Sequence, residues 1–344
     1  MNLLDAIAAQ LPPVDAIADA LPATDAAERS RMRLVTVPFK AGARFGLAAA
    51  ARPVLQFGLT PVALDLRRYA DARSNSRPDG DLRALAAFRD LVDPLPSFSR
   101  CYVASGMSTE RLYESILEGA TLAAESPFAA RLLADARAQF EANAFANMDG
   151  TAGRWRPVYA IPDDWTDLSI EGRFQDLAVD PPQQAGDGAA YAMIGAPAPL
   201  GLSVGGPAGT ATPVDPKTTI HSFRMKYLPV FFNRPWLRYE LFQSGGWLLS
   251  QQRSGFCSSG ELQENEGVFP LLPTGMLLGR DVALDVSWGS ADQAVLSSAL
   301  ACGAPVSLGP FRLDAAARAM DVQLVAWTSS LVPFSPRQSN LPGP

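Results

Sequence analysis

The stretch Gly201-Leu202-Ser203-Val204-Gly205 matches the G-x-S-x-G pattern of a serine nucleophile elbow. A serine hydroxyl needs a base to become a nucleophile, and the chain has one histidine, His221. Any Ser-His triad must therefore use His221, and Ser203, Asp215, His221 stand in the chain order that hydrolases of this kind use. The elbow also needs a strand before the serine and a helix after it. Pro197 and Pro199 interrupt the strand, and Gly205-Gly206-Pro207 interrupts the helix. The short span from Ser203 to His221 leaves little room for intervening elements. His221 also falls in an alternating stretch, on the apolar side with Phe223 and Met225, where a half-buried strand histidine is the plainer reading.

Other chemistries find less. One histidine and three separated cysteines, Cys101, Cys257 and Cys302, do not make the usual zinc ligand sets. Glu261, Glu264 and Glu266 are close together, but the Ser, Gln and Gly around them describe a solvated loop rather than a calcium site. There is no P-loop, and no G-x-G-x-x-G between a strand and a helix. No metal and no cofactor is expected. Asp163, Asp164, Asp281 and Asp285 are available as paired carboxylates for glycoside hydrolysis, with Trp155, Tyr159 and Trp165 as sugar-stacking aromatics. Strand core is the simpler place for those rings.

Two stretches suit binding better than catalysis. In Pro229–Trp247, Asn233 can cap a two-turn helix on which Trp236, Tyr239 and Phe242 share a face, with Arg234 in the first turn. Such a set is either a hot spot for a partner or a strand–helix corner filling the core. An ion pair from Arg234 to Asp281 would tie that corner to a later strand. The N-terminal segment repeats an Asp before an Ala-rich turn at Asp5, Asp15 and Asp25, with Leu-Pro stops at residues 11–12 and 21–22. It reads as a helical arm that offers Ile7, Leu11, Ile17 and Leu21 either to a partner groove or to its own domain.

The elements that would position these residues follow from periodicity. Extended stretches are expected over Met32–Phe39 and Pro53–Leu66. Helices are expected from Asp81 through Val92, from Ser108 through Gly119, and from Ser126-Pro127 to about Asn147. The last carries Phe128, Leu132, Ala136 and Phe140 as one apolar stripe. Strands are expected over Ile220–Tyr227, Val282–Trp288 and Asp321–Trp327. One wet face per strand points to antiparallel sheet. The class is α+β, an N-terminal helical region followed by a mostly antiparallel β-rich region. The organisation reads as an arm over 1–30, a mainly helical region over 31–150, a β segment over 151–180, a Gly/Pro-rich loop or linker over 181–217, a β-rich region over 218–335 and a tail over 336–344.

Composition bounds the function. The chain has 344 residues, 48% of them apolar, and 19% charged against the ~25% usual for soluble domains. Its 29 basic residues are scattered and its net charge is −6, which argues against nucleic acid as a partner. The odd, separated cysteines and the acidic, unbroken start of the chain suit a reducing cytoplasm, with signal-independent export left open. Gly188–Val214 carries one charge-free run that a membrane-active protein would insert, or that an assembly arm would use. The expectation is an interaction or assembly protein without enzymatic activity, a subunit of a homo-oligomer or larger bacterial particle, whose partner is protein. A membrane-active protein and a carboxylate- or serine-based hydrolase are the alternatives.

Overall fold

Two long strands organise the molecule: β10 over Thr219–Asn233 and β12 over Leu271–Ser287. They pair antiparallel along almost their whole length, from Thr219 opposite Ser287 to Phe231 opposite Gly275. In the computed structural model the described residues are 3–10, 54–92, 107–123, 126–170, 172–179, 190–193, 201–204, 211–250, 252–261, 265–313 and 322–338. Among them, β15 over Gln323–Leu331 lies beside β12, then β1 over Val54–Ala63, then β7 over Ala190–Met193 at one edge. At the other edge β10 is flanked along one half by β5, Tyr159–Ile161, and along the other by β6, Gln175–Val179. All pairs in this sheet are antiparallel except β1 with β7. The α+β, β-rich class with its helices mostly N-terminal is thus the observed one.

Burial along the long strands divides the sheet in two. Residues 271–279 of β12 are all buried, whereas residues 280–287 alternate between half-buried and exposed. β10 shows the same change, alternating at its start and buried on both faces from Tyr227 to Phe232. A strand buried on both faces has lost its binary pattern, because each face meets its own apolar layer. On one face Phe223, Met225 and Leu277 meet Leu55, Phe57 and the helix α1 over Leu3–Gln10. On the other, Leu228, Val230 and Leu278 meet Trp165 and Phe88 of α2, Leu82–Val92. Close packing demands glycine at one point in this region. A Cβ on Gly275 would stand 2.7 Å from both the Val230 carbonyl and Thr328 Oγ1.

The expected helix starts are present, each with a mechanism. Asp81 accepts from the Arg83 N–H at the start of α2 (2.7 Å). Ser108 accepts from the Arg111 N–H at the start of α3, Thr109–Gly119. Ser126 accepts from the Ala129 N–H at the start of α4, Pro127–Ala142, with Pro127 in the first turn. α4 ends earlier than its apolar pattern suggests. The chain leaves the helix at Asn143 to form β3, Phe145–Ala146, against β4, Arg154–Trp155. Its stripe also rotates. Phe128 is 66% exposed, while Ala129, Leu132, Leu133, Ala136 and Phe140 are buried. A strict four-residue repeat drifts off a 3.6-residue helix, so its first member leaves the face.

Besides the β3–β4 pair, two smaller sheets occur among the described residues. β2, Ala120–Leu122, pairs with β11, Trp247–Leu249, beside the four-residue helix α5, Glu240–Gln243. The segment 181–217, expected as loop or linker, instead contributes strands. They are β7 in the main sheet, and β8, Gly201–Val204, and β9, Ala211–Pro213, in a four-stranded sheet with β13, Val306–Leu308, and β14, Phe311–Arg312. Helix α6, Ser290–Cys302, packs on it through Val295, Leu296 and Ala299 against Leu202 and Val306. No described helix is long and apolar enough to cross a membrane.

Candidate functional site

The three residues of the candidate triad lie in three different settings. Ser203 sits mid-strand in β8, opposite Ser307 on β13 and Ala211 on β9. It is 1% exposed, and its hydroxyl makes no hydrogen bond among the described residues. A serine inside a ladder is not on a strained strand-to-helix turn, so the elbow geometry is missing. Gly205 lies outside the described residues.

Asp215 is a structural cap. Its carboxylate accepts from the N–H of Lys217 (2.9 Å) and from the N–H of Ala291 in the first turn of α6 (3.2 Å). These backbone donors hold its pKa below the ordinary 3.8. Asp292, 4% exposed, answers from the helix by accepting from the Asp215 N–H and from Thr218 Oγ1. The Gly289 N–H donates to Thr218 Oγ1 (2.8 Å). This reciprocal clasp ties the start of α6 to the turn before β10. It also explains Gly289, where a Cβ would run into the Asp215 carboxylate.

His221 is exposed rather than on the apolar side, because the β10 ladder shifts register between Ile220 and Ser222. A bulge adds a residue to one strand and re-aims its side chain. His221 turns to the wet face, where its Nε2 meets Ser287 Oγ at 2.7 Å. The structure therefore gives the histidine a serine partner, but not Ser203. The pattern Phe223, Met225, Tyr227 held no sign of this, since the bulge depends on the partner strand.

The aromatic corner is core. Trp236 and Phe242 are fully buried, and Arg234 and Tyr239 are 8% exposed. The Trp236 N–H donates to the Pro157 carbonyl (2.6 Å), and the Tyr239 hydroxyl donates to the Leu331 carbonyl (3.1 Å). Arg234 donates to the Pro273 carbonyl. Residues so enclosed have no surface to give a partner, so a hot spot for another protein does not fall here. The expected two-turn helix is a turn followed by α5, because Asn233 ends β10 paired with Tyr159 and does not cap. Nor do Arg234 and Asp281 meet. Asp281 follows Arg280, which pairs with Lys226, about eight residues back along the chain from Arg234, or roughly 26 Å at strand rise. Asp281 pairs instead with the neighbouring Arg280 (3.7 Å).

Several of the remaining candidates are likewise spent on the fold. Ile7 is fully buried with Leu3 and Leu4 against the main sheet, so this part of the arm packs on its own chain. Leu11, Ile17 and Leu21 lie outside the described residues. Asp163 accepts from Ser74 and Ser76, and Asp164 from Arg173. Trp155 and Trp165 are buried and Tyr159 is half-buried, as core aromatics. Glu261 and Glu266 are exposed, Glu264 lies outside the described residues, and no group of metal-binding side chains occurs among the described residues.

What stands out on the surface is α6. Its exposed residues include Ala291, Gln293, Ala294, Ser297, Ser298 and Leu300, and its single charge, Asp292, is buried in the clasp. Leu300 is 67% exposed. The other long helices expose charge, as Arg83 and Asp90 on α2, Arg111 and Glu118 on α3, and Arg131 and Asp135 on α4. Comparison with known protein families, with curated proteins and with solved structures finds no match for the chain.

Proposed function

We propose that the chain is an interaction or assembly protein that associates with further copies of itself through the outer face of α6. The observation that carries this reading is the charge-free solvent face of that helix. A solvated helix normally keeps its charges outward, and interface cores are where charged residues are depleted. Two chains of net charge −6 repel, and an uncharged face lets them meet without opposing like charges. Small residues at Ala294, Ser297 and Ser298 permit the close approach that helix packing needs. In this reading the protein works in a reducing cytoplasm, which suits the free thiols of Cys257 and Cys302.

Cys302, exposed at the end of α6, reports on that face, and Cys257 serves as an inert control. Burial pushes the Cys257 thiol up to about 12, so a maleimide leaves it unmodified in the native protein. The expected result is that Cys302 reacts more slowly as protein concentration rises, and that Leu300→Glu removes this dependence. A Cys302 rate independent of concentration in the wild-type protein overturns the reading.

A further inference from the structure

The His221–Ser287 pair is the one place among the described residues where the chain's only imidazole meets a hydroxyl. We propose that Ser287 is an acyl-accepting site, with His221 as its base and an unhindered, activated carboxylic ester as the acyl donor.

Four observations carry this. The Nε2–Oγ distance of 2.7 Å is that of a direct hydrogen bond, within the range a base needs to take the hydroxyl proton. Both side chains are exposed, so a donor reaches the oxygen without any opening of the fold. The bulge between Ile220 and Ser222 takes His221 off the core side and aims it at Ser287, at the cost of a regular ladder. Finally, the two strands are clasped just beyond the pair. Thr218, three residues before His221, accepts from the N–H of Gly289, two residues after Ser287, and donates to Asp292. A pair on strands and pinned at its end holds its geometry better than one on loops.

The step balances within these groups. Ser287 Oγ attacks the ester carbonyl carbon and forms the new C–O bond while its proton passes to His221 Nε2. The bond to the leaving alkoxide breaks, and His221 returns the proton to that oxygen. Neutral His221 is restored and Ser287 carries the acyl group. No carboxylate bonds the other ring nitrogen among the described residues, so nothing holds the imidazolium as in a full triad. Hydrolysis of the serine ester is accordingly slow, and the product is a stable modification rather than a turnover. The proposal stands apart from self-association through α6.

The test uses the full chain and p-nitrophenyl acetate, read by intact mass and by peptide mapping. The expected result is one acetyl group per chain, on Ser287, with no adduct in Ser287→Ala. His221→Gln keeps a hydrogen-bonding side chain but no base, and is expected to slow acetylation at least about a hundredfold. Circular dichroism of both variants establishes that they fold. Should either variant unfold, trapping of Ser287 in the wild-type chain by a fluorophosphonate decides the matter. Acetylation confined to lysines or the N-terminus, no adduct, or an undiminished rate in His221→Gln would overturn the proposal.

Discussion

Arg156 shows how the polar side chains of this molecule are spent. It is 4% exposed, lies over the Phe140 ring at 3.3 Å, and donates to Glu110 (3.1 Å), Glu141 (3.1 Å) and the Phe140 carbonyl (2.8 Å). One guanidinium thereby joins α3, α4 and β4. Removing one partner of a buried pair leaves the other's charge desolvated and uncompensated, which costs about 3–5 kcal/mol. Arg156→Ala is expected to lose that much in denaturant unfolding, while Arg154→Ala, whose pair with Glu141 is exposed, loses less than about 1 kcal/mol. Equal losses would contradict this assignment. At this scale the sequence was a partial guide. The types of Trp236 and Phe242 announced a large apolar cluster. Their burial was decided by Tyr113 and Phe140, more than ninety residues earlier, whose rings stand 5.9 Å (Tyr113) and 5.9 Å (Phe140) from Trp236. Ser203 misled for a related reason. A five-residue pattern says nothing of the ladders on either side of it.

Among elements, α6 depends most on a side chain outside itself. Its own N-cap is Gly289, which has no side chain to offer, and Asp215 supplies the missing acceptor. Because the Asp215 pKa is depressed in the folded chain, its contribution to stability is fully present above the ordinary carboxylate value of 3.8. It is lost as pH falls from there through the folded value. Asp215→Asn is expected to melt below wild type at pH 7, with the gap in Tm closing below about pH 4. A gap that persists unchanged into acid would contradict the role of the charge. Local signals were legible at this scale. Asp81, Ser108 and Ser126 marked their helices because a cap is made within four residues. Non-local ones were not. The end of α4 follows from the pairing of Phe145 with Trp155, and the turn of His221 follows from its register with β12. The strands β8 and β9 form despite Gly and Pro around them, because β13 pairs with β8 from about a hundred residues downstream.

For the whole molecule, the main sheet is assembled across the chain rather than in sequence order. β1 stands between β15 and β7, so the described residues of 31–150 and of 218–335 share one sheet. The α+β class was legible because helix caps and strand alternation are local and cluster in different parts of the chain. The order of the strands was not, since pairing is long-range. Self-association through the charge-free face of α6 is read in solution by size-exclusion chromatography with light scattering. The expected wild-type molar mass is a multiple of 36.6 kDa, falling to 36.6 kDa in Ser297→Glu, which sets a charge in the middle of that face. A wild-type mass of 36.6 kDa at every concentration, or a multiple that Ser297→Glu leaves intact, would contradict it.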